Sequence, residues 1–93
     1  LVQLAKCESG LNPNAIHRND GGSDSRGLLQ FKLKTFVGYA LKYSLFPEAE
    51  AHELENLWTD PDAQIRVAAK MIKEPRGYYH WYQCASRLGY IVE

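Results

Sequence analysis

The chain has 93 residues, 45% of them hydrophobic, and 11 basic side chains balance 11 acidic ones for zero formal charge. That length fits one small domain, residues 1–93, with a single modest core. The balanced charge argues against nucleic acid or an anionic membrane as partner, and no apolar run approaches the length of a membrane span.

In chain order, residues 1–10 read as a short helix, stopped by Gly10 and kept from resuming by Pro13. The chain starts without Met and already in a helical pattern, so we expect a domain excised from a longer protein. The stretch "AIHRNDGGSDSRGLLQF" has a different character. Asn19, Asp20, Gly21 and Gly22 are strong turn formers between two short alternating stretches, which predicts a small hairpin or irregular loop. "KLKTFVGYALKYSL" carries Leu33, Phe36, Val37, Ala40 and Leu41 as a helical stripe. Pro47 and "EAEAHELE" predict a solvated connection with a helical turn around Leu54. The clearest helix follows: Asp60 as N-cap, Pro61 at the first position, Asp62 at the positive end of the dipole, and Ile65, Ala68, Ala69 and Ile72 along one face. Glu74 and Pro75 end it. "YYHWYQCASRLG" then places Tyr78, Trp81, Tyr82, Ala85 and Leu88 at helical spacings, with Gly89 as the stop. The result is a mainly α domain with one small β-like excursion.

Two residue types bear on chemistry. Cys7 and Cys84 form no CxxC pair, and His17, His52 and His80 sit at no metal-ligand spacing, so no metal and no cofactor is expected. The cysteines read either as buried free thiols or as one disulfide joining the first helix to the last. Glu8 is the unusual residue. Leu1, Leu4 and Ala5 form an apolar stripe, and the next position on it is Glu8. One reading puts this carboxylate at the stripe's edge, in water. The other holds it in an apolar wall, where desolvation raises its pKa and lets it act as a general acid.

The neighbouring motifs favour the second reading. "CESGLNPNA" followed by "SRGLLQF" resembles the lysozyme-like superfamily, in particular the lytic transglycosylases and goose-type lysozymes. Glu8-Ser9 with its Asn-Pro break matches the first family motif. Gly27-Leu28-Leu29-Gln30 matches the second, with Leu for Met. "DPDAQIRVAAKMI" resembles the third helical stretch, with Gln64-Ile65 where Asn-Ile is frequent. The late Ala-x-x-Tyr-Asn motif is replaced by "YYHWYQCA", whose Trp and Cys are similar to those of the resuscitation-promoting factors.

The resemblance implies an α+β lysozyme-like fold and an extracytoplasmic enzyme, secreted, periplasmic, wall-associated or phage-associated, acting as a monomer on peptidoglycan glycan strands. It also implies a Cys7–Cys84 disulfide. Glu8 would protonate the bond between N-acetylmuramic acid and N-acetylglucosamine. A hydrolase would need a second carboxylate, for which Asp20 and Asp24 are the candidates; each also reads as an ordinary loop residue. A lyase would need neither, and we expect a lyase. Gln30 would bond a sugar or orient Glu8, or pair with backbone. Gly27 would admit the sugar to the backbone, Leu29 would pack on an acetyl group or in the core, and Ser9 would bond substrate or cap the helix. Tyr78, Tyr79 and Trp81 are the candidates to replace the late Tyr of the family, while helical spacing reads Trp81 and Tyr82 as core. Lys32, Lys34 and Lys42 would meet acidic stem peptides or merely solvate a helix face. The competing class is a non-catalytic module that binds cell-wall glycan.

Overall fold

The computed structural model describes residues 1–18 and 23–91. Asp20 and the rest of the predicted 19–22 turn therefore lie outside the described residues. The first helix, α1, runs Val2–Ser9. Gly10 ends it in the left-handed conformation at φ 65°, with its N–H on the Lys6 carbonyl at 2.9 Å. That region favours glycine, which has no Cβ to clash with the helix end.

Three two-residue strands follow: β1 (Ile16–His17), β2 (Ser25–Arg26) and β3 (Phe31–Lys32). They form one antiparallel sheet in the order β1-β2-β3. The predicted hairpin is thus a three-stranded sheet. Its register aligns His17 with Ser25 and Ser25 with Lys32, while Ile16, Arg26 and Phe31 form the other row. Side chains directly opposite each other share a face, so each row presents one surface.

Helix α2 spans Leu33–Lys42 and buries Phe36 and Ala40. Leu41, expected on that stripe, is exposed. Helix α3 spans Ala51–Leu57, longer than the single turn expected around Leu54. Glu50 and Glu53 form a reciprocal capping box at its start, which satisfies two otherwise orphaned N–H groups. Leu54 anchors it in the core.

Helix α4 spans Pro61–Met71 and begins as predicted: the Asp60 carboxylate accepts the Ala63 N–H at 2.8 Å, and Pro61 occupies the first turn. Its buried face differs from the expected one. Ala63, Gln64, Val67, Ala68 and Met71 turn inward, and Ile65 is 38% exposed. The helix is rotated so that Gln64, a polar residue, is fully buried. The reason is the hydrogen bonding described below.

The last segment is a 3-10 helix, Gly77–Trp81, continuing into α5, Tyr82–Arg87. A 3-10 turn holds three residues rather than 3.6, so a single helical wheel misassigns this region. Trp81, Cys84 and Ala85 are buried, whereas Tyr82 is 43% exposed. Gly77 lies so close to the end of α4 that a Cβ there would collide with the Met71 backbone. Cys7 and Cys84 form a disulfide across 77 positions, with Cα atoms 5.8 Å apart, and tie α1 to α5.

The core gathers Leu4, Leu29, Phe36, Leu54, Val67 and Met71 at its centre. Phe31 meets Phe36 and Trp81 edge-on at centroid distances of 5.9 and 5.6 Å, a favoured arrangement of ring quadrupoles. The whole is mainly helical with one short antiparallel sheet, in keeping with the α+β lysozyme-like class.

Candidate active site

A cavity of about 460 Å³ opens between the end of α1, the sheet, the start of α2 and the 3-10/α5 segment. Glu8 lines it, beside the Cys7–Cys84 bridge, Phe31 and Trp81. The sheet contributes the whole row His17, Ser25 and Lys32. Thr35 enters from α2, and His80, Gln83 and Arg87 enter from the last segment.

Glu8 sits half-buried in the last turn of α1. Burial pushes its carboxyl above the ordinary value. The negative end of the helix dipole acts in the same direction. No cation pairs with it among the described residues, and no other carboxylate there lines this cavity.

The 27–31 segment is held against α1 by side chains from several elements. The Ser9 hydroxyl lies 2.7 Å from the Leu28 carbonyl and 3.1 Å from the Ala5 carbonyl. Trp81 Nε1 donates to the Leu29 carbonyl at 2.8 Å, and Trp58 Nε1 to the Phe31 carbonyl at 2.8 Å. Gln64 accepts the Leu29 N–H at 2.8 Å through Oε1. Its Nε2 donates to the carbonyls of Arg26 and Trp58 at 2.9 and 2.7 Å. A buried loop carries polar backbone that must be paired, and Gln64 does much of that pairing. This is why α4 turns an amide inward.

Gly27 fits the same logic. Its φ is 86°, and a Cβ would collide with the Gln64 amide, 2.9 Å from its Cδ. Gln30, at φ 53°, folds its amide back on the turn: Nε2 donates to Gly27 and Ala15 carbonyls at 2.9 and 3.1 Å. Both amide protons are thereby used. Gln30 also lines the cavity, and its Oε1 accepts no bond among the described residues.

Several expected site residues lie elsewhere. Leu29 is fully buried in the core, the second of the two places expected for it. Tyr78 and Tyr79 line a separate hollow with Arg76 and Tyr90 rather than the Glu8 cavity. His80 and Trp81, from the same 3-10 turn, take the cavity side instead. Asp24 does not line the cavity; it accepts from Arg26 Nη2 at 2.9 Å, with Arg18 at 4.0 Å. Lys42 is paired with Glu74 at 2.6 Å, and Tyr43 donates to the same carboxylate. The cavity residues missing from the sequence reading are His17, Ser25, Thr35, His80, Gln83 and Arg87. Arg87, three positions after Cys84 on α5, is the one that helical spacing could have found, once Cys84 is joined to the residue before Glu8.

His80 Nε2 lies 2.9 Å from the Tyr39 hydroxyl, and burial pushes its pKa down, opposed by the Glu74 charge. The ligand atoms of Glu50, His52 and Glu53 lie within 4.8 Å of one another. Those residues are exposed, and the two glutamates are occupied in the α3 capping box.

A family model described as the transglycosylase SLT domain matches residues 1–87. No curated protein and no solved structure matches the chain.

Proposed function

Since the chain belongs to the transglycosylase SLT domain family, whose domains act on peptidoglycan, we propose that it cleaves the β-1,4 bond between N-acetylmuramic acid and N-acetylglucosamine, with Glu8 as general acid and then base. One observation carries the proposal. Glu8 is a half-buried carboxyl with a raised pKa, on the wall of a cavity large enough for a sugar ring.

The protonated carboxyl donates its proton to the glycosidic oxygen, and the C1–O bond breaks. The muramic N-acetyl group stabilises the positive charge developing at C1. Glu8, now a carboxylate, takes the proton of the muramic 6-hydroxyl, whose oxygen closes on C1. The products are a 1,6-anhydromuramic end and a free 4-hydroxyl, and Glu8 is protonated again. A retaining or inverting hydrolase needs a second carboxylate near C1. Asp24 is engaged by arginines and does not line the cavity, which favours the lyase over a hydrolase that would use Asp24. Ser9 positions Glu8 by joining its helix to the Leu28 carbonyl. Gln30 is offered as the acceptor for a sugar N–H or hydroxyl.

The disulfide suits an oxidising compartment, and the substrate lies outside the cytoplasm; both support an extracytoplasmic site of action. The test compares the chain with its Glu8→Gln variant on purified peptidoglycan. Clearing should fall about a thousandfold in the variant, and mass spectrometry should find anhydro ends in the wild-type digest. Equal clearing by the two proteins contradicts the role of Glu8. Reducing ends contradict the lyase route. Binding of sacculi without release of fragments by either protein would favour the non-catalytic module.

A further inference from the structure

We propose that Arg87 and Lys32 form a carboxylate-binding rim of the Glu8 cavity, which takes a carboxylate carried by the muramic residue of the strand. The inference rests on the glycan-cleaving reading above and names the group that this cavity selects.

The chain has five arginines. Arg18 and Arg26 face Asp24. Arg66 lies over the Phe46 ring at 4.6 Å, and Arg76 over the Tyr79 ring at 5.5 Å. Arg87 is the exception: among the described residues its guanidinium makes no hydrogen bond, ion pair or ring contact, and it lines the cavity. Lys32 enters the same cavity from β3, and its Nζ lies 3.5 Å from the Ser23 carbonyl. Against these two cations the described lining sets one acid, Glu8. Among the described lining residues the cations thus outnumber the acids, although the chain as a whole is neutral.

Geometry keeps these cations in place. Lys32 is in register with Ser25 and His17 on the row that faces the cavity. Arg87 follows Cys84 by three positions, and the disulfide holds that part of α5 beside Glu8. A planar guanidinium with no partner among the described residues is suited to bidentate capture of a carboxylate. Muramic acid offers one in either of two ways: the lactyl ether is a free carboxylate on peptide-stripped strands, and on intact strands the lactyl-linked stem peptide supplies carboxylates of its own.

The experiment measures binding in the Glu8→Gln background, so that strands are not consumed. Three soluble strands are titrated by calorimetry: peptide-bearing, peptide-stripped, and peptide-stripped with the lactyl carboxyls methyl-esterified. Adding Arg87→Gln should weaken binding about tenfold on charged strands and leave the ester unchanged, with Arg87→Lys restoring part of the loss. Lys32→Gln should act in the same direction. Loss on the peptide-stripped strand alone identifies the lactyl carboxylate, loss on the peptide-bearing strand alone identifies the stem peptide, and loss on both shows that the rim accepts either carboxylate. Unchanged affinity on both charged strands, or an equal loss on the ester, overturns the rim. Cleavage of the three strands by the wild-type chain is followed in parallel: its absence would end the glycan-cleaving reading without altering the charge dependence of binding.

Discussion

The Glu8 carboxyl ends a helix whose final peptide dipoles disfavour its charge, and it stands beside a disulfide and two aromatic rings that exclude water. The sign of the resulting linkage is fixed by the direction of its shift. A carboxyl with a raised pKa holds its proton in the folded state over a range of pH where the unfolded chain has released it. Stability is therefore unaffected by Glu8 below the ordinary carboxylate range and declines as pH rises through the raised value. At neutral pH the charged side chain opposes folding. Glu8→Gln, which removes the charge and keeps the shape, should melt higher than wild type at pH 7 and show a smaller difference at about pH 4. Thermal melts at the two pH values check this. A variant that melts lower than wild type at pH 7 would mean that the carboxylate is held favourably, contrary to the electrostatics described here. Gain of stability with loss of clearing is the combination expected where a residue serves reaction rather than fold.

Among elements, α4 matters most to the site although it contributes no residue to the cavity. Its Gln64 joins the 26–29 backbone to the end of α3 through three hydrogen bonds. Gln64→Leu keeps the bulk and leaves the Leu29 N–H and two carbonyls without their partner. Each unpaired buried group costs about 1–3 kcal/mol, so the variant should lose about 3 kcal/mol in urea unfolding and most of its clearing activity. A loss below about 1 kcal/mol would show that water replaces the amide. The start of α4 was legible from Asp60 and Pro61, because capping is local chemistry. Its buried face was not, because the pull on Gln64 comes from a loop 35 positions away. The polar run of α3 concealed a helix whose capping box supplies what its composition lacks. The last segment misled for a geometric reason: a 3.6-residue wheel drawn through a 3-10 turn puts Tyr82 on the buried stripe, whereas it is 43% exposed. Strands of two residues are too short to show alternation, so the sheet row that carries His17, Ser25 and Lys32 to the cavity could not be seen.

At the scale of the molecule, the Cys7–Cys84 bridge closes nearly the whole chain. In the chain-entropy model a loop of that length contributes about 4–5 kcal/mol by restricting the unfolded state, a large share of the stability of a small domain. The same bond sets α5 beside Glu8, so fold stability and site assembly depend on one link. Glu8-Ser9, the Gly-Leu-Leu-Gln segment and the two cysteines were readable as motifs, since each answers a local or family-wide demand. The basic side of the cavity was not, since it exists only when β3 and α5 are brought together. The proposed chemistry rests on a proton that burial keeps on Glu8 for delivery to the glycan. Carbon-13 NMR titration of the Glu8 carboxyl, set beside the pH profile of kcat/KM on glycan strands, tests it most directly. The account predicts a midpoint above the ordinary carboxylate value, and activity that falls on the alkaline side with that same midpoint. A Glu8 that titrates in the ordinary range, or an alkaline limb that does not follow it, would contradict the claim.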